Sequence, residues 1–178
     1  MEREQIIALL KNGIPGVAQW NSCRCSCEPL RLDRVCLRAA DLRGVNFCRV
    51  RLFRAELSDA ILREAQLEGA DLSEAELKGA DFTGACLASA KLFRCRLERA
   101  ILRHANLEGA YLGEAELDGA DLRGARLRTA TGLTISQLRN VHLDAATALP
   151  ASLAAEFAAL PRERREAVPP MLRMCLEG

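Results

Sequence analysis

Residues 100–129 read AILRH ANLEG AYLGE AELDG ADLRG ARLRT. Every fifth residue is Ala, and the residue two places later is Leu. Followed outward from this stretch, the register runs unbroken from Leu30 to Thr129, 100 residues in 20 pentads. The third residue of each pentad is Leu or Phe, from Leu32 to Leu127, with Phe47 and Phe82 the two rings. The first is small or modestly apolar: Leu30, Val35, Ala40, Val45 and Val50, then Ala from 55 to 125 with Cys95 the exception.

Ala, Leu, Glu and Arg are strong helix formers, so propensity alone would make this segment α-helical. Geometry rejects a helix, because a five-residue step turns it by roughly 140° and scatters the Leu positions around its axis. In an extended chain the first and third residues of a pentad point the same way. An odd period then needs a bend in every repeat to return them to one interior. Glycines at 44, 69, 79, 84, 109, 119 and 124, all at the last place of a pentad, supply turn residues for it. The pattern predicts an all-β solenoid with Leu and Ala inside and the other three positions outside.

The units Ala40-Asp41-Leu42, Ala70-Asp71-Leu72, Ala80-Asp81-Phe82, Ala105-Asn106-Leu107 and Ala120-Asp121-Leu122 carry a closer likeness. They resemble the Ala-(Asp/Asn)-Leu-x-x motif of the pentapeptide-repeat family. That resemblance implies a right-handed quadrilateral β-helix in which four pentads make one square coil. Twenty pentads then give five coils and a rod of about 24 Å. So narrow an interior accounts for a chain that is 49% apolar yet only 4% aromatic.

A stack of coils leaves apolar interior and unpaired backbone at both ends, so caps are expected. Residues 1–29 read as an N-terminal helical cap and lead-in, with Ile6, Ile7, Leu9 and Leu10 on an amphipathic helix that stops at Gly13. The segment Gly16 to Arg24, of the form Gly-Val-x-x-Trp-Asn-x-x-Arg, resembles the leader before the repeats in many family members. After the rod, 30–129, Gly132 stands where the next Leu belongs. Residues 130–149 then read as an exit or cap helix with a capping box from Thr134 to Gln137. Residues 150–178 form a helical tail. Quinolone-resistance members of the family dimerise through their C-terminal ends, which makes this tail a candidate for pairing two rods.

Function has to lie on the outward positions. With 20 residues to a coil, Asp33, Phe53, Ser73, Phe93 and Gly113 stack in one column, beside Arg34, Arg54, Glu74, Arg94 and Glu114. The opposite face stacks Asp41, Ile61, Asp81, Ile101 and Asp121. Residues 50–84 and 90–124 are identical at 22 of 35 positions, the mark of a two-coil duplication. Phe53, Phe93, Ile61, Ile101, Tyr111, Arg54 and Arg94 are therefore the candidate residues for docking an unidentified protein partner, with inherited surface apolar residues as the plainer explanation.

Charge is banded. Residues 31–54 sum to +5, residues 56–81 to −6, and residues 91–103 to +4; residues 108–121 hold five acids and no base. The repeats total 17 bases and 16 acids, within a whole-chain charge of +1. Such a balance argues against direct nucleic-acid binding. The family's best-known activity is mimicry of duplex DNA by acidic rods that bind DNA gyrase, in drug or toxin resistance. It needs negative charge along the rod, and only a strip of Glu56, Glu68, Glu74, Glu76 and Asp81 offers it here.

No hydrolytic or phosphate-binding constellation is visible: His104 and His142 have no nucleophile at a recognisable spacing. Cys23, Cys25 and Cys27 are the one cluster able to hold a soft metal, but they offer no clear fourth ligand, and packing in the cap explains them equally. Cys95 belongs in the core, whereas Cys36, Cys48 and Cys86 face outward. Neither a membrane span nor a leader is visible. The expectation is a bacterial, cytoplasmic, non-catalytic interaction or scaffold module without cofactor or membrane partner, with the gyrase mimic as its rival.

Overall fold

The structure is a computed structural model that describes residues 2–23 and 30–177. Two helices precede the repeats, α1 (Arg3–Lys11) and α2 (Gly13–Cys23). Three follow them: α3 (Ala151–Ala159), α4 (Arg162–Glu166) and α5 (Pro170–Glu177). Between these groups the second residue of each pentad forms a parallel bridge to the residue 20 positions on, as in Arg31 with Arg51, Cys36 with Glu56, Asp41 with Ile61 and Asn46 with Gln66. Four pentads close one square coil, and residues 30–129 stack into five. The first coil is 30–49, and its pentads define faces one to four in chain order. Each bridge is a single residue because the chain turns a corner before a longer strand can form.

The corner has a fixed chemistry. The amide of the next pentad's first residue donates to the carbonyl of the third, as from Val35 to Leu32 at 3.1 Å and Ala55 to Leu52 at 3.0 Å. The fifth residue of every pentad but the last adopts positive φ, the signature of a type II turn. Glycine fills that place at only part of the corners; 12 others hold a residue with a side chain, among them Arg34 at φ 56°, Ala39 at 52° and Glu64 at 57°. Left-handed backbone costs such residues about 1 kcal/mol or more. The ladder holds them there, because the fifth residue's amide also donates to the coil above, as from Arg34 to the Phe53 carbonyl at 2.8 Å. The second motif position helps close the same turn. Asp71 Oδ1 accepts from the Ser73 amide at 3.1 Å, Asp81 Oδ1 from Thr83 at 3.0 Å and Asn106 Oδ1 from Glu108 at 3.2 Å.

The interior is as narrow as the composition requires. The inward Leu residues from 32 to 127 are all buried, with Phe47 and Phe82 wholly enclosed among them. Cys95 replaces an inward Ala without exposure, and burial pushes its thiol well above the ordinary range. It is inert core, as its position in the period implies.

Both ends are closed by side chains. At the first coil, Trp20 packs against Phe47 with ring centroids 6.4 Å apart and donates from Nε1 to the Asn46 carbonyl at 3.0 Å. Asn21 accepts from the Asn46 amide at 2.9 Å and donates to the Gly44 carbonyl at 2.9 Å, taking the place of a preceding coil. The lead-in thus carries a second helix of its own, α2, beyond the one that stops at Gly13. Gly13, at φ +65°, is the joint at which α1 gives way to it.

The exit differs from expectation. Residues 130–149 hold no helix but make an irregular sixth turn. Its bridges run Tyr111 to Thr131, Asp121 to His142 and Arg126 to Ala148, so the offset grows from 20 to 21 and then 22. The register breaks at Gly132. There Gln137 substitutes for the missing ladder, donating from Nε2 to the Leu112 and Ala115 carbonyls, both at 3.0 Å. The reciprocal bonds between Thr134 and Gln137 do form, but they brace a turn. Beyond it, Leu153 and Phe157 of α3 and Leu172 and Leu176 of α5 are buried with Val168 as the lid of the rod. Most of the tail's large apolar side chains are therefore spent within this chain, leaving Met171 and Met174 exposed.

Two substitutions isolate the corner strain. Gly44 has no atom within 4 Å of an added Cβ, so Gly44→Ala changes the backbone energy alone and lowers stability by about 1 kcal/mol. Ala39→Gly, at an exposed corner one pentad earlier, relieves the same strain and shifts the urea midpoint upward, by up to about 1 kcal/mol.

Candidate interaction face

Face one carries three columns along the rod. The bridged column is Arg31, Arg51, Asp71, Lys91 and Tyr111. Beside it run the aromatic column, with Phe53 and Phe93 separated by Ser73, and the corner column of Arg34, Arg54, Glu74, Arg94 and Glu114. Both Phe rings are half-buried, roofed by guanidinium groups rather than bare. Arg51 and Arg54 lie 5.3 and 5.0 Å from the Phe53 centroid, and Arg94 lies 4.8 Å from that of Phe93. Tyr111 stacks on Phe93 at 5.8 Å and 15° between planes. Its ring lies across Gly113 and Gly132, where any Cβ would collide with it, and 43% of the residue remains exposed. The corner residues pair along the axis: Arg54 with Glu74 and Arg94 with Glu114, each at 2.7 Å.

Face three is built differently. Ile61 and Ile101 are half-buried between Asp41, Asp81 and Asp121. Arg63 reaches across to Asp81 and Arg103 to Asp121, both at 2.5 Å, and Arg123 joins Asp121 at 2.8 Å. Hydrogen bonds from Arg123 and Arg103 hold the Asp121 carboxyl far below its ordinary range, against the opposing effect of burial. Burial also works against Asp81, but Thr83 and Arg63 prevail and its carboxyl is lowered. The seven candidate residues thus divide: Phe53, Arg54, Phe93, Arg94 and Tyr111 come together on face one, while Ile61 and Ile101 lie on the opposite side of the rod.

The acidic strip does not form. Glu74 stands on face one, Glu56 and Glu76 on face two, Asp81 on face three and Glu68 on face four. Glu74, Glu76 and Asp81 are bound to Arg54, Arg96 and Arg63. These three pairs each join adjacent coils, so the bands of opposite charge meet along the axis rather than forming a continuous acidic strip. Linear counting missed this, because residues 20 apart are neighbours only once the coil length is applied.

Of the thiol cluster, Cys23 ends α2 and is exposed, whereas Cys25 and Cys27 lie outside the described residues. Among the described residues no three His, Cys, Asp or Glu side chains gather as a metal set. Cys36 is exposed, and Cys48 and Cys86 are partly exposed. No helix among the described residues is long and apolar enough to cross a membrane. Sequence reasoning left two residues unassigned: Arg51 of face one, the second guanidinium over Phe53, and Gln137 of the irregular sixth turn, which bonds the Leu112 and Ala115 carbonyls. Arg51 was readable, since it shares a side of one coil with Phe53; Gln137 was not, because the register had already broken.

The family model described as pentapeptide repeats matches in eight copies over residues 31–65, 51–88, 60–99 and 90–128. Together these span residues 31 to 128, 98 of the 178. The chain belongs to the pentapeptide-repeat family. Its fold is accordingly the right-handed quadrilateral β-helix of that family. Several solved pentapeptide-repeat structures are similar to it. One is a protein of the Arabidopsis thaliana thylakoid lumen, 34% identical over 53% of this chain and 70% of that one, with a TM-score of 0.35. Another is Rfr23 of the cyanobacterium Cyanothece, 29% identical over 67% of each chain, at 0.36. A third is HetL of Nostoc, involved in heterocyst differentiation regulation, 24% identical over 77% of this chain and 79% of that one, at 0.37. No curated protein matches the sequence.

Asp121 gives this pentapeptide-repeat rod a measurable acid dependence. Its folded carboxyl titrates below the ordinary value of 3.8, so its contribution is complete above about pH 4 and is lost as pH falls from there. Asp121→Asn should lower stability by about 2 kcal/mol at pH 7, and the gap to wild type should close on acidification in urea unfolding at pH 7, 5 and 3.

Proposed function

We propose that this pentapeptide-repeat protein is a non-catalytic interaction module that docks a protein partner on face one. The observation that carries the reading is the pairing of Phe53 and Phe93 at a two-coil interval, each ring under a guanidinium group, with the exposed Tyr111 beside them. Aromatic and Arg side chains are the groups most enriched in protein interfaces. The rigid ladder beneath holds them at fixed spacing, so little side-chain freedom remains to be lost on docking. Face three offers less, because its two outward apolar residues, Ile61 and Ile101, are aliphatic rather than aromatic and its Arg63, Arg103 and Arg123 groups are drawn onto buried carboxylates instead of over rings. The gyrase mimic finds no support in the charge geometry, since the five named acids are divided among four faces and three are paired.

The test compares tagged wild type with Phe53→Ser/Phe93→Ser in affinity capture followed by mass spectrometry, with circular dichroism as the check on folding. Ile61→Ser/Ile101→Ser serves as the opposite-face control. Loss of captured proteins in the Phe pair alone supports the reading; an unchanged set in all three sinks it. In a gyrase supercoiling assay the protein should neither inhibit the enzyme nor protect it from a quinolone at micromolar concentration.

A further inference from the structure

Resting on the reading of face one as a docking surface, we infer that the partner it fits is a second copy of this chain, packed face to face and antiparallel, with the third coil of each against the fourth coil of the other. Charge and shape both favour this pairing. Counting the three outward columns of face one, the second coil presents Arg51, Phe53 and Arg54, the third Asp71, Ser73 and Glu74, the fourth Lys91, Phe93 and Arg94, and the fifth Tyr111, Gly113 and Glu114. Their net charges are +2, −2, +2 and −1, while the first coil carries +1 from Arg31, Asp33 and Arg34.

A two-fold axis along the rods sets each coil against its own copy and is repulsive throughout. An antiparallel axis sets each column against itself, coil against coil in reverse order, and only the register decides the sign. With the axis on the third coil or on the fourth, like-charged coils meet. With the axis midway between them, every charged pair is opposite: Arg54 faces Glu114, Glu74 faces Arg94 and Asp71 faces Lys91, each twice by symmetry. The axis between the second and third coils also joins them favourably, but it brings the first against the fourth, both positive. The best register also matches size. Phe93 meets the small Ser73, and Phe53 meets the Tyr111 ring that lies over Gly113. Arg51 faces Tyr111, a further cation and ring pair. Such a surface is isologous, as closed dimers require.

Four coils span about 19 Å of a face one pentad wide, which is small for a stable dimer. The expected association is therefore of micromolar strength or weaker, and sensitive to salt.

Sedimentation velocity of the full chain, from a few micromolar to about 1 mM, tests it. Wild type should pass from monomer to dimer with concentration at low salt, at least tenfold less readily in about 0.5 M NaCl. Glu74→Arg alone sets Arg against Arg across the axis, and Arg94→Glu alone sets Glu against Glu. Each single variant should stay monomeric where wild type dimerises, with an unchanged circular dichroism spectrum. Their equimolar mixture should associate again, since one site then keeps the native pair and the other carries its reverse. A wild type that stays monomeric at about 1 mM and low salt overturns the inference, as do single variants that still dimerise or a mixture that does not. If wild type is monomeric while Phe53→Ser/Phe93→Ser still loses captured proteins, the self-pairing fails and the docking face stands. If neither effect appears, both fail.

Discussion

A right-angled turn every five residues, closed by one hydrogen bond and one left-handed residue, is the constraint on which the rest of this molecule depends. It limits each side of the coil to one pentad, and so limits the interior to a Leu and a small residue from each side. It also assigns the backbone. Each residue outside the corner bond is tied to the coil above or below, so the ladder carries strain that no isolated turn of the same sequence would keep. The non-glycine corners show this: Glu64 and Arg99 adopt positive φ because two neighbouring coils hold their peptide groups in place.

The outer surface inherits the same regularity. Since a coil is 20 residues long, bands of opposite charge in the sequence become rungs of opposite charge about 4.8 Å apart. Exposed pairs of this kind are individually worth little. Their arrangement matters more than their sum, because it leaves the rod without a continuous field of either sign while keeping long Arg side chains extended along the axis. On face one those side chains lie over aromatic rings; on face three they are drawn onto buried carboxylates. Two faces with similar composition thus end with different chemistry.

The period made the rod legible from sequence, since the fold is the repetition of one local rule. Phe47, Phe82 and Cys95 were placed inside by counting alone, and the columns of Phe53 and Phe93 by the coil length. The exit segment was not legible. Thr134 and Gln137 carry the pattern of a helix start, but the local bonds serve equally well in a turn, and the unfilled backbone of the fifth coil decides between them. The second helix of the entrance was also hidden, because Gly13 reads as a stop and only the open end of the first coil shows why another helix should begin there. The acidic strip failed for a related reason: neighbours in sequence are on different faces, and the Arg residues that pair with Glu74, Glu76 and Asp81 are a coil away.

The two ends of the rod are finished by unlike means. Asn21 and Trp20 stand in for backbone at one end, and an irregular turn that has slipped first one and then two residues out of step closes the other. Neither end can accept another coil without losing the groups that seal it. The interior coils have no such restriction, since any unit of 20 residues presents the same edge below that it receives above. The 40-residue duplication lies in that interior, at whole-coil length. A protein of this architecture therefore lengthens from its middle, keeping its termini as fixed fittings, and each added pair of coils copies its surface chemistry forward along the axis.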